Sequence, residues 1–175
     1  GIHPHDAKDM TAETITELKK LTQNEKVVAI GETGLDFHYN FSPQKDQRRA
    51  FAQQLKIAAE LNLPVIIHCR EAFNDTMDIL EQYGLGVKRA VFHCFSGSGE
   101  QAKIVLDKGF YISFTGVVTF RNAEKTRAAA GIVPLDRLML ETDCPYMSPE
   151  PCRKQKINEP ALMIHTAARL AELKG

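Results

Sequence analysis

Four short apolar runs divide the sequence, and each leads within three residues to a side chain that can bind a metal ion. The pairs are residues 27–30 with Glu32, 65–67 with His68, 90–92 with His93, and 138–140 with Asp143. Apolar runs of this length, separated by amphipathic stretches, are typical of strands buried in a parallel sheet. Catalytic residues collect at the carboxyl ends of such strands. The pattern therefore predicts that the four side chains converge at one end of a sheet.

The first of these runs has the most distinctive surroundings. Residues 27–31 are predicted to form a strand buried on both faces, which places Glu32 at its carboxyl end. A turn is expected at Gly34, because glycine tolerates the backbone angles of tight turns. Glu32 is thereby presented at the rim of the sheet.

Helices and strands alternate along the chain. Predicted helices span residues 12–23, 43–61, 72–83, 100–108, 123–130 and 159–173, and further strands span 65–68, 90–94, 110–115 and 138–142. Thr11 is the predicted N-cap of the first helix, without a capping box because position 14 is a threonine. The alternation predicts one α/β domain over residues 1–175, with a parallel sheet. Five strands, with a short stub at residues 1–3, are too few to close an eight-stranded barrel, so an open sheet or part of a barrel is expected.

Composition excludes several classes of protein. The 175 residues carry 22 basic and 22 acidic side chains, so no overall field recruits a nucleic acid or a membrane. No apolar run approaches the roughly 20 residues that a membrane span needs.

The cysteines fit no zinc-finger spacing. Three of them directly follow a predicted ligand, which indicates reduced packing residues and a cytoplasmic setting rather than disulfides; these are Cys69, Cys94 and Cys144.

Two imidazoles and two carboxylates suit Zn²⁺, Mn²⁺ or Fe, and Mg²⁺ less well. A divalent ion held by Glu32, His68, His93 and Asp143 polarises a phosphoryl or carbonyl oxygen and lowers the pKa of a bound water. Asp143 can take the proton of that water as a general base. One ion fits four ligands, and two fit if Glu32 bridges them. The alternative is that these are ordinary structural residues, which four matching positions make the weaker interpretation.

Further candidates lie near the predicted strand ends. His3 and His5 resemble a metal-binding pair, or either could hold a phosphate oxygen. Arg70 lies two residues past His68 and could bind a substrate phosphate, the alternative being a salt bridge with Glu71 or Asp75.

Two loops are candidates for binding anions. Ser96, in the glycine-rich loop 95–99 before a predicted helix, lies where backbone amides can bind a phosphate. The basic run of Arg153, Lys154 and Lys156 could contact a nucleic-acid backbone, although a solvated loop is the commoner reason for such a run.

Several motifs together resemble the TatD family of metal-dependent deoxyribonucleases. They are Gly-Ile-His-Pro-His (1–5), Gly-Glu-Thr-Gly-Leu-Asp (31–36), Pro-Val-Ile-Ile-His-Cys-Arg (64–70), Phe-His-Cys-Phe-Ser-Gly (92–97), Glu-Thr-Asp-Cys-Pro-Tyr (141–146) and Asn-Glu-Pro (158–160). The resemblance implies a TIM-barrel-type (β/α)8 metallo-dependent hydrolase fold, represented here by about five of the eight βα units. It also implies metal-dependent hydrolysis of phosphodiester bonds, as a 3′–5′ exonuclease on single-stranded DNA or RNA.

The resemblance assigns roles to individual residues. Glu32, His68, His93 and Asp143 match the family's metal ligands, with Asp143, Glu32 and His3 as the catalytic residues. His3 is expected in the active site at a substrate phosphate. Asp36, in the second motif, is a candidate for contacting substrate, as are Arg70 and Ser96. The cofactor is expected to be one or two ions of Mg²⁺, Mn²⁺ or Zn²⁺.

The chain is shorter than is typical of that family. We expect it to lack the first two strands, with their His-x-His pair, and the carboxyl-terminal end, so that unclosed sheet edges favour self-association. Two alternatives to the nuclease stay open. The same ligands serve amidohydrolases and lactonases, because a metal ion polarises either a P–O or a C=O bond. An inactive binding or structural module is the other.

Overall fold

The computed structural model describes residues 1–175, in which five strands alternate with six α-helices. The strands are Ile30–Asp36 (β1), Val65–Arg70 (β2), Ala90–Phe92 (β3), Tyr111–Phe114 (β4) and Leu138–Leu140 (β5). The helices are Ala12–Leu21 (α1), Gln44–Leu61 (α2), Phe73–Tyr83 (α3), Gly99–Asp107 (α4), Glu124–Ile132 (α5) and Met163–Lys174 (α6). Short 3-10 segments include Pro4–Asp9 and Gly116–Thr119.

The strands form one five-stranded sheet in the order β1-β2-β3-β4-β5. β1 and β2 are parallel and pair Gly34 with His68 and Asp36 with Arg70. β4 and β5 are parallel as well. A parallel sheet whose strands alternate with helices is the predicted α/β class, which is therefore confirmed.

Internal contacts divide the chain into two compact units, residues 1–91 and 92–175. The fully buried side chains of the first unit include Leu35, Phe51, Leu55 and Ile67. Those of the second include Phe92, Val105, Ile112 and Phe114. The single domain over the whole chain stays a prediction, because compactness alone does not say whether either unit folds separately.

The first helix begins with a capping box, and the prediction that it has none was wrong. Thr11 accepts a hydrogen bond from the backbone N–H of Thr14 at 3.3 Å, and the Thr14 hydroxyl accepts one from the N–H of Thr11 at 2.8 Å. A threonine hydroxyl can accept this bond as the usual Glu or Gln does. Ser98 and Gln101 cap α4 in the same reciprocal way.

The prediction for the first strand was wrong in its position and in its turn. β1 begins at Ile30 rather than at Val27, and Val28 is 72% exposed. The strand does not turn at Gly34 but continues to Asp36, so Glu32 lies within it. His68 likewise lies within β2, which extends to Arg70.

Smaller differences concern the ends of elements. Residues 1–3 form no strand and lead into the 3-10 segment Pro4–Asp9. The fourth strand ends at Phe114, and the fifth at Leu140, before Glu141. Helix α2 agrees with its predicted bounds within one residue.

None of the four cysteines forms a disulfide, as expected. Cys69 and Cys94 are half-buried, but Cys144 is exposed, so the prediction that it is a packing residue was wrong. No helix combines the length and apolar character needed to cross a membrane.

Replacing Gly34 with alanine should lower the free energy of unfolding by about 2–3 kcal/mol. Gly34 has φ +141°, and a Cβ there would lie 2.0 Å from the carbonyl oxygen of His68. Gly131→Ala is the matched control, since a Cβ on that helical residue meets nothing within 4 Å. The control should raise stability by about 0.5–1 kcal/mol. Urea unfolding measures both, and equal stability of Gly34→Ala and wild type would contradict the fold described.

Iodoacetamide should alkylate Cys144 well before Cys69. Burial raises the pKa of the Cys69 thiol, and the thiolate is the reactive form. Cys144 is exposed. Peptide mapping by mass spectrometry over a time course measures the two rates. Labelling of Cys69 as fast as Cys144 would show that its burial is described wrongly.

Candidate metal centre

A polar cluster in the first unit is centred on His68. Pairing of Gly34 with His68 places Glu32 and Asp36 to either side of the imidazole, because residues two apart in a strand share a face. Nδ1 of His68 lies 2.6 Å from Oε1 of Glu32, and Nε2 lies 3.0 Å from Oδ2 of Asp36. The ring is therefore held between two carboxylates.

The side chain of Asp36 is fully buried and accepts hydrogen bonds on both oxygens. Oδ2 contacts Nε2 of His5 at 2.9 Å as well as that of His68, and Oδ1 accepts the backbone N–H groups of His38 and Tyr39. Burial raises the pKa of this carboxyl group, but the Tyr39 N–H and the contacts with His5 and His68 outweigh it, so the pKa lies below its ordinary value. The group is ionised at neutral pH and can only accept.

Asp36 was predicted to contact substrate, but its side chain has no atom exposed to solvent in this structure. Its burial indicates a different role, because an ionised acceptor fixes the proton of His5 and of His68 on Nε2. A metal-binding histidine commonly donates its second ring N–H to a carboxylate in this way, which orients the ring and leaves the other nitrogen for the ion.

The remaining nitrogen of His68 has the surroundings of a metal ligand. Nδ1 lies 2.6 Å from Oε1 of Glu32. With the imidazole proton on Nε2, both of these atoms are acceptors, and two acceptors this close need a proton or a cation between them. Ligand atoms of His3, His5 and His68 all lie within 4.8 Å of one another. The Glu32 carboxylate and the His68 imidazole are donors that Zn²⁺ and Mn²⁺ accept, so these two residues fit a divalent ion.

His3 differs from its neighbour His5. Its Nδ1 accepts the backbone N–H of His5 at 3.2 Å, as the N-cap of the 3-10 segment Pro4–Asp9. The proton of neutral His3 is therefore on Nε2, which lies 3.7 Å from Oε1 of Glu32. A ring with this proton donates rather than ligates, which favours the predicted phosphate contact over ligation of one ion by both histidines.

Two buried glutamines of α2 hold the backbone on which these side chains stand. Gln54 accepts the N–H of Ile2 at 2.7 Å and donates to the Ile2 carbonyl at 3.0 Å and to the Thr33 hydroxyl at 2.7 Å. Gln47 accepts the N–H of Asp36 at 2.8 Å and donates to its carbonyl at 2.9 Å. Sequence reasoning missed both, although two amides seven residues apart on one helix face are a visible signal.

A second cluster, in the second unit, surrounds His93. Its Nδ1 pairs with Oε2 of Glu141, and its Nε2 lies 3.5 Å from Oδ1 of Asp143. Oε1 of Glu141 accepts the N–H of Cys94 and the hydroxyl of Ser113, both at 2.6 Å. Glu141 therefore orients His93 as Asp36 orients His68, and Nε2 is the nitrogen that faces Asp143.

Asp143 has the left-handed backbone angle φ +54°, which aspartate adopts more readily than most residues. Glu141 was missed as a functional residue, although its position two residues before Asp143 was visible in the sequence. Ligation of a shared ion by Glu32, His68, His93 and Asp143 stays a prediction.

Arg70 lies with its guanidinium 4.6 Å from the ring centre of Tyr39. The alternative salt bridge with Glu71 or Asp75 was wrong, because those carboxylates pair with His38 at 2.8 Å and with Arg48 at 2.5 Å. Binding of a phosphate by Arg70 stays a prediction, and its N–H groups form no ion pair with either acid.

The remaining candidates lie on the surface. Ser96 is exposed, two residues before the N-cap of α4. The guanidinium of Arg153 lies 3.6 Å from the ring centre of Phe120, while Lys154 and Lys156 are exposed. Their contacts with substrate stay predictions.

Comparison with known proteins identifies the family. The model of the TatD related DNases matches residues 1–175. The chain is 46% identical over 174 residues to the "uncharacterized metal-dependent hydrolase YabD" of Bacillus subtilis, covering 99% of this chain and 68% of that protein. It is 41% identical over 179 residues to the "3'-5' ssDNA/RNA exonuclease TatD" of Cronobacter sakazakii, covering 100% of this chain and 68% of that one.

A solved structure of a family member has a similar fold. The TatD homologue YJJV of Escherichia coli matches with a TM-score of 0.89 and 32% identity, over 98% of this chain and 66% of that one. The chain thus spans about two thirds of the length of these relatives. From the family match over residues 1–175 and the agreement in fold, we conclude that the chain belongs to the family of TatD related DNases.

Proposed function

We propose that the chain is part of a metal-dependent nuclease that hydrolyses phosphodiester bonds from the 3′ end of single-stranded DNA or RNA. The observation that carries the proposal is the pairing of each central histidine with an orienting carboxylate on one nitrogen and a facing carboxylate on the other. Relatives named metal-dependent hydrolases and an exonuclease support it. The expected self-association has no support from the comparisons and is not part of the proposal.

Glu32, His68, His93 and Asp143 would hold one or two ions of Mg²⁺, Mn²⁺ or Zn²⁺. Such an ion, when bound, polarises a phosphoryl oxygen and lowers the pKa of a water molecule. Asp36 keeps the proton of His68 on Nε2, and Glu141 keeps the proton of His93 on Nδ1. Asp143 accepts the proton of the attacking water, with Oδ1 or Oδ2 as the receiving atom.

His3 and the backbone around it complete the proposed chemistry. Its Nε2–H can donate to a non-bridging phosphate oxygen, because Nδ1 is already occupied by the N–H of His5. Gln54 fixes Ile2, the residue before it, through both of its backbone groups. The imidazole is therefore positioned before substrate arrives, which reduces the entropy lost on binding.

Glu32→Ala and Asp143→Asn should each lower the rate of nuclease cleavage by at least about 100-fold, since each removes a ligand and Asp143 is also the base. The assay is digestion of a labelled single-stranded oligonucleotide with Mg²⁺, with Mn²⁺ and with chelator. Far-UV circular dichroism should be unchanged.

Retained cleavage in both variants would overturn the assignment of the site. Hydrolysis of a lactone or amide by the metal-loaded wild type, without cleavage of the oligonucleotide, would favour the amidohydrolase or lactonase alternative. A folded chain that binds no ion would favour the inactive module.

Asp36→Asn should weaken Mn²⁺ or Zn²⁺ binding by about 10- to 100-fold. An asparagine can keep the bonds from His38 and Tyr39, but its NH₂ facing Nε2 of His68 would move the imidazole proton to Nδ1 and block the ligand nitrogen. Isothermal titration calorimetry measures the affinity. Asp78→Asn, which removes the same charge from an exposed position of α3, should bind as wild type. Equal affinity in Asp36→Asn would exclude the orienting role.

A further inference from the structure

The loop after β1 exposes two aromatic rings to solvent. Tyr39 is 48% exposed and Phe41 is 58% exposed. The rings are nearly parallel, at 4°, with centres 5.2 Å apart. The stacked pair keeps about half of its surface in contact with water, and an exposed apolar patch of this kind commonly marks an interaction site.

The loop that carries the rings is held in place by several hydrogen bonds. Asp36 accepts the backbone N–H groups of His38 and Tyr39. Asn40, at φ 51°, donates from its side chain to the carbonyl of Phe37 at 3.0 Å. The hydroxyl of Ser42 donates to the carbonyl of His5 at 2.6 Å. The aromatic pair is therefore a preorganised surface, tied by one carboxylate to the histidine cluster.

The rings adjoin the groups proposed to contact phosphate. The ring centre of His5 lies 4.8 Å from that of Phe41 and 5.6 Å from that of Tyr39, and the rings of His3 and His5 are 4.2 Å apart. The Arg70 guanidinium lies 4.6 Å from the centre of Tyr39. Flat apolar faces next to imidazole and guanidinium donors are complementary to a base joined through its sugar to a phosphate.

We propose that Tyr39 and Phe41, with Arg70, form a stacking subsite for an unpaired nucleobase of a single-stranded nucleic acid. The identity of this ligand rests on the proposed nuclease function. A ring face accepts any base, so the subsite is tolerant of sequence. It rejects duplex, because a paired base is already stacked on its neighbours. This subsite would account for a preference for single strands by stacking alone, without contacts to base edges.

The test uses a single-stranded oligonucleotide with 2-aminopurine at its 3′ terminus, whose fluorescence is quenched on stacking. Phosphorothioate linkages at that end resist hydrolysis, so binding is measured with Mg²⁺ present. Quenching by the wild type is expected. Tyr39→Ala and Phe41→Ala should each weaken binding by about 5- to 100-fold.

Two variants separate stacking from general damage to the surface. Tyr39→Phe keeps the ring and should bind as wild type. Leu85→Ala truncates an exposed apolar side chain in another loop and should have no effect. On a cleavable oligonucleotide, Phe41→Ala should raise KM with little change in kcat, and this rise should vanish when the terminal nucleotide is abasic.

The outcomes distinguish the two proposals. Cleavage of the cleavable oligonucleotide without quenching, or full binding by both alanine variants, would overturn the stacking subsite and leave the nuclease function standing. Ring-dependent quenching without cleavage would support the subsite and overturn the nuclease function.

Discussion

The site of the first unit depends on the hydrogen bonds that the buried carboxylate of Asp36 accepts. One oxygen accepts from the imidazoles of His5 and His68, and the other from the backbone of the following loop. A buried charge is tolerated only when its hydrogen bonds are satisfied, and here all of its partners belong to the site. The same group therefore sets the proton on the histidines and fixes the loop that bears Tyr39 and Phe41.

In the second unit, a carboxylate of a different residue also fixes the proton of a histidine. Glu141 accepts from His93 on one oxygen and from Cys94 and Ser113 on the other. In both units a carboxylate sets the tautomer of a histidine and an acidic side chain faces the other nitrogen. The facing nitrogen is Nδ1 in His68 and Nε2 in His93, so the two histidines present opposite ring atoms.

Much of this arrangement was visible in the sequence, and the part that was not depends on long-range contacts. The bounds of α2 follow from its apolar stripe, and the four predicted ligands follow apolar runs. The path of β1 could not be predicted in this way, because the sequence Glu-Thr-Gly resembles a turn. It is a strand since Gly34 pairs with His68 and Gln47 bonds the backbone of Asp36, 11 residues away in sequence. The spacing of Gln47 and Gln54 on one helix face is visible in the sequence, but the backbone and side-chain groups that they bind are not.

Long-range ¹H–¹⁵N spectra of the imidazole rings, recorded before and after Zn²⁺ is added, test whether Asp36 and Glu141 set the tautomers of His68 and His93. Such spectra identify which nitrogen of each ring carries the proton. Zinc should shift Nδ1 of His68 while its proton stays on Nε2, and should shift Nε2 of His93 while its proton stays on Nδ1. The reverse pattern in either ring, or spectra that zinc leaves unchanged, would contradict the claim that Asp36 and Glu141 prepare these histidines for a metal ion.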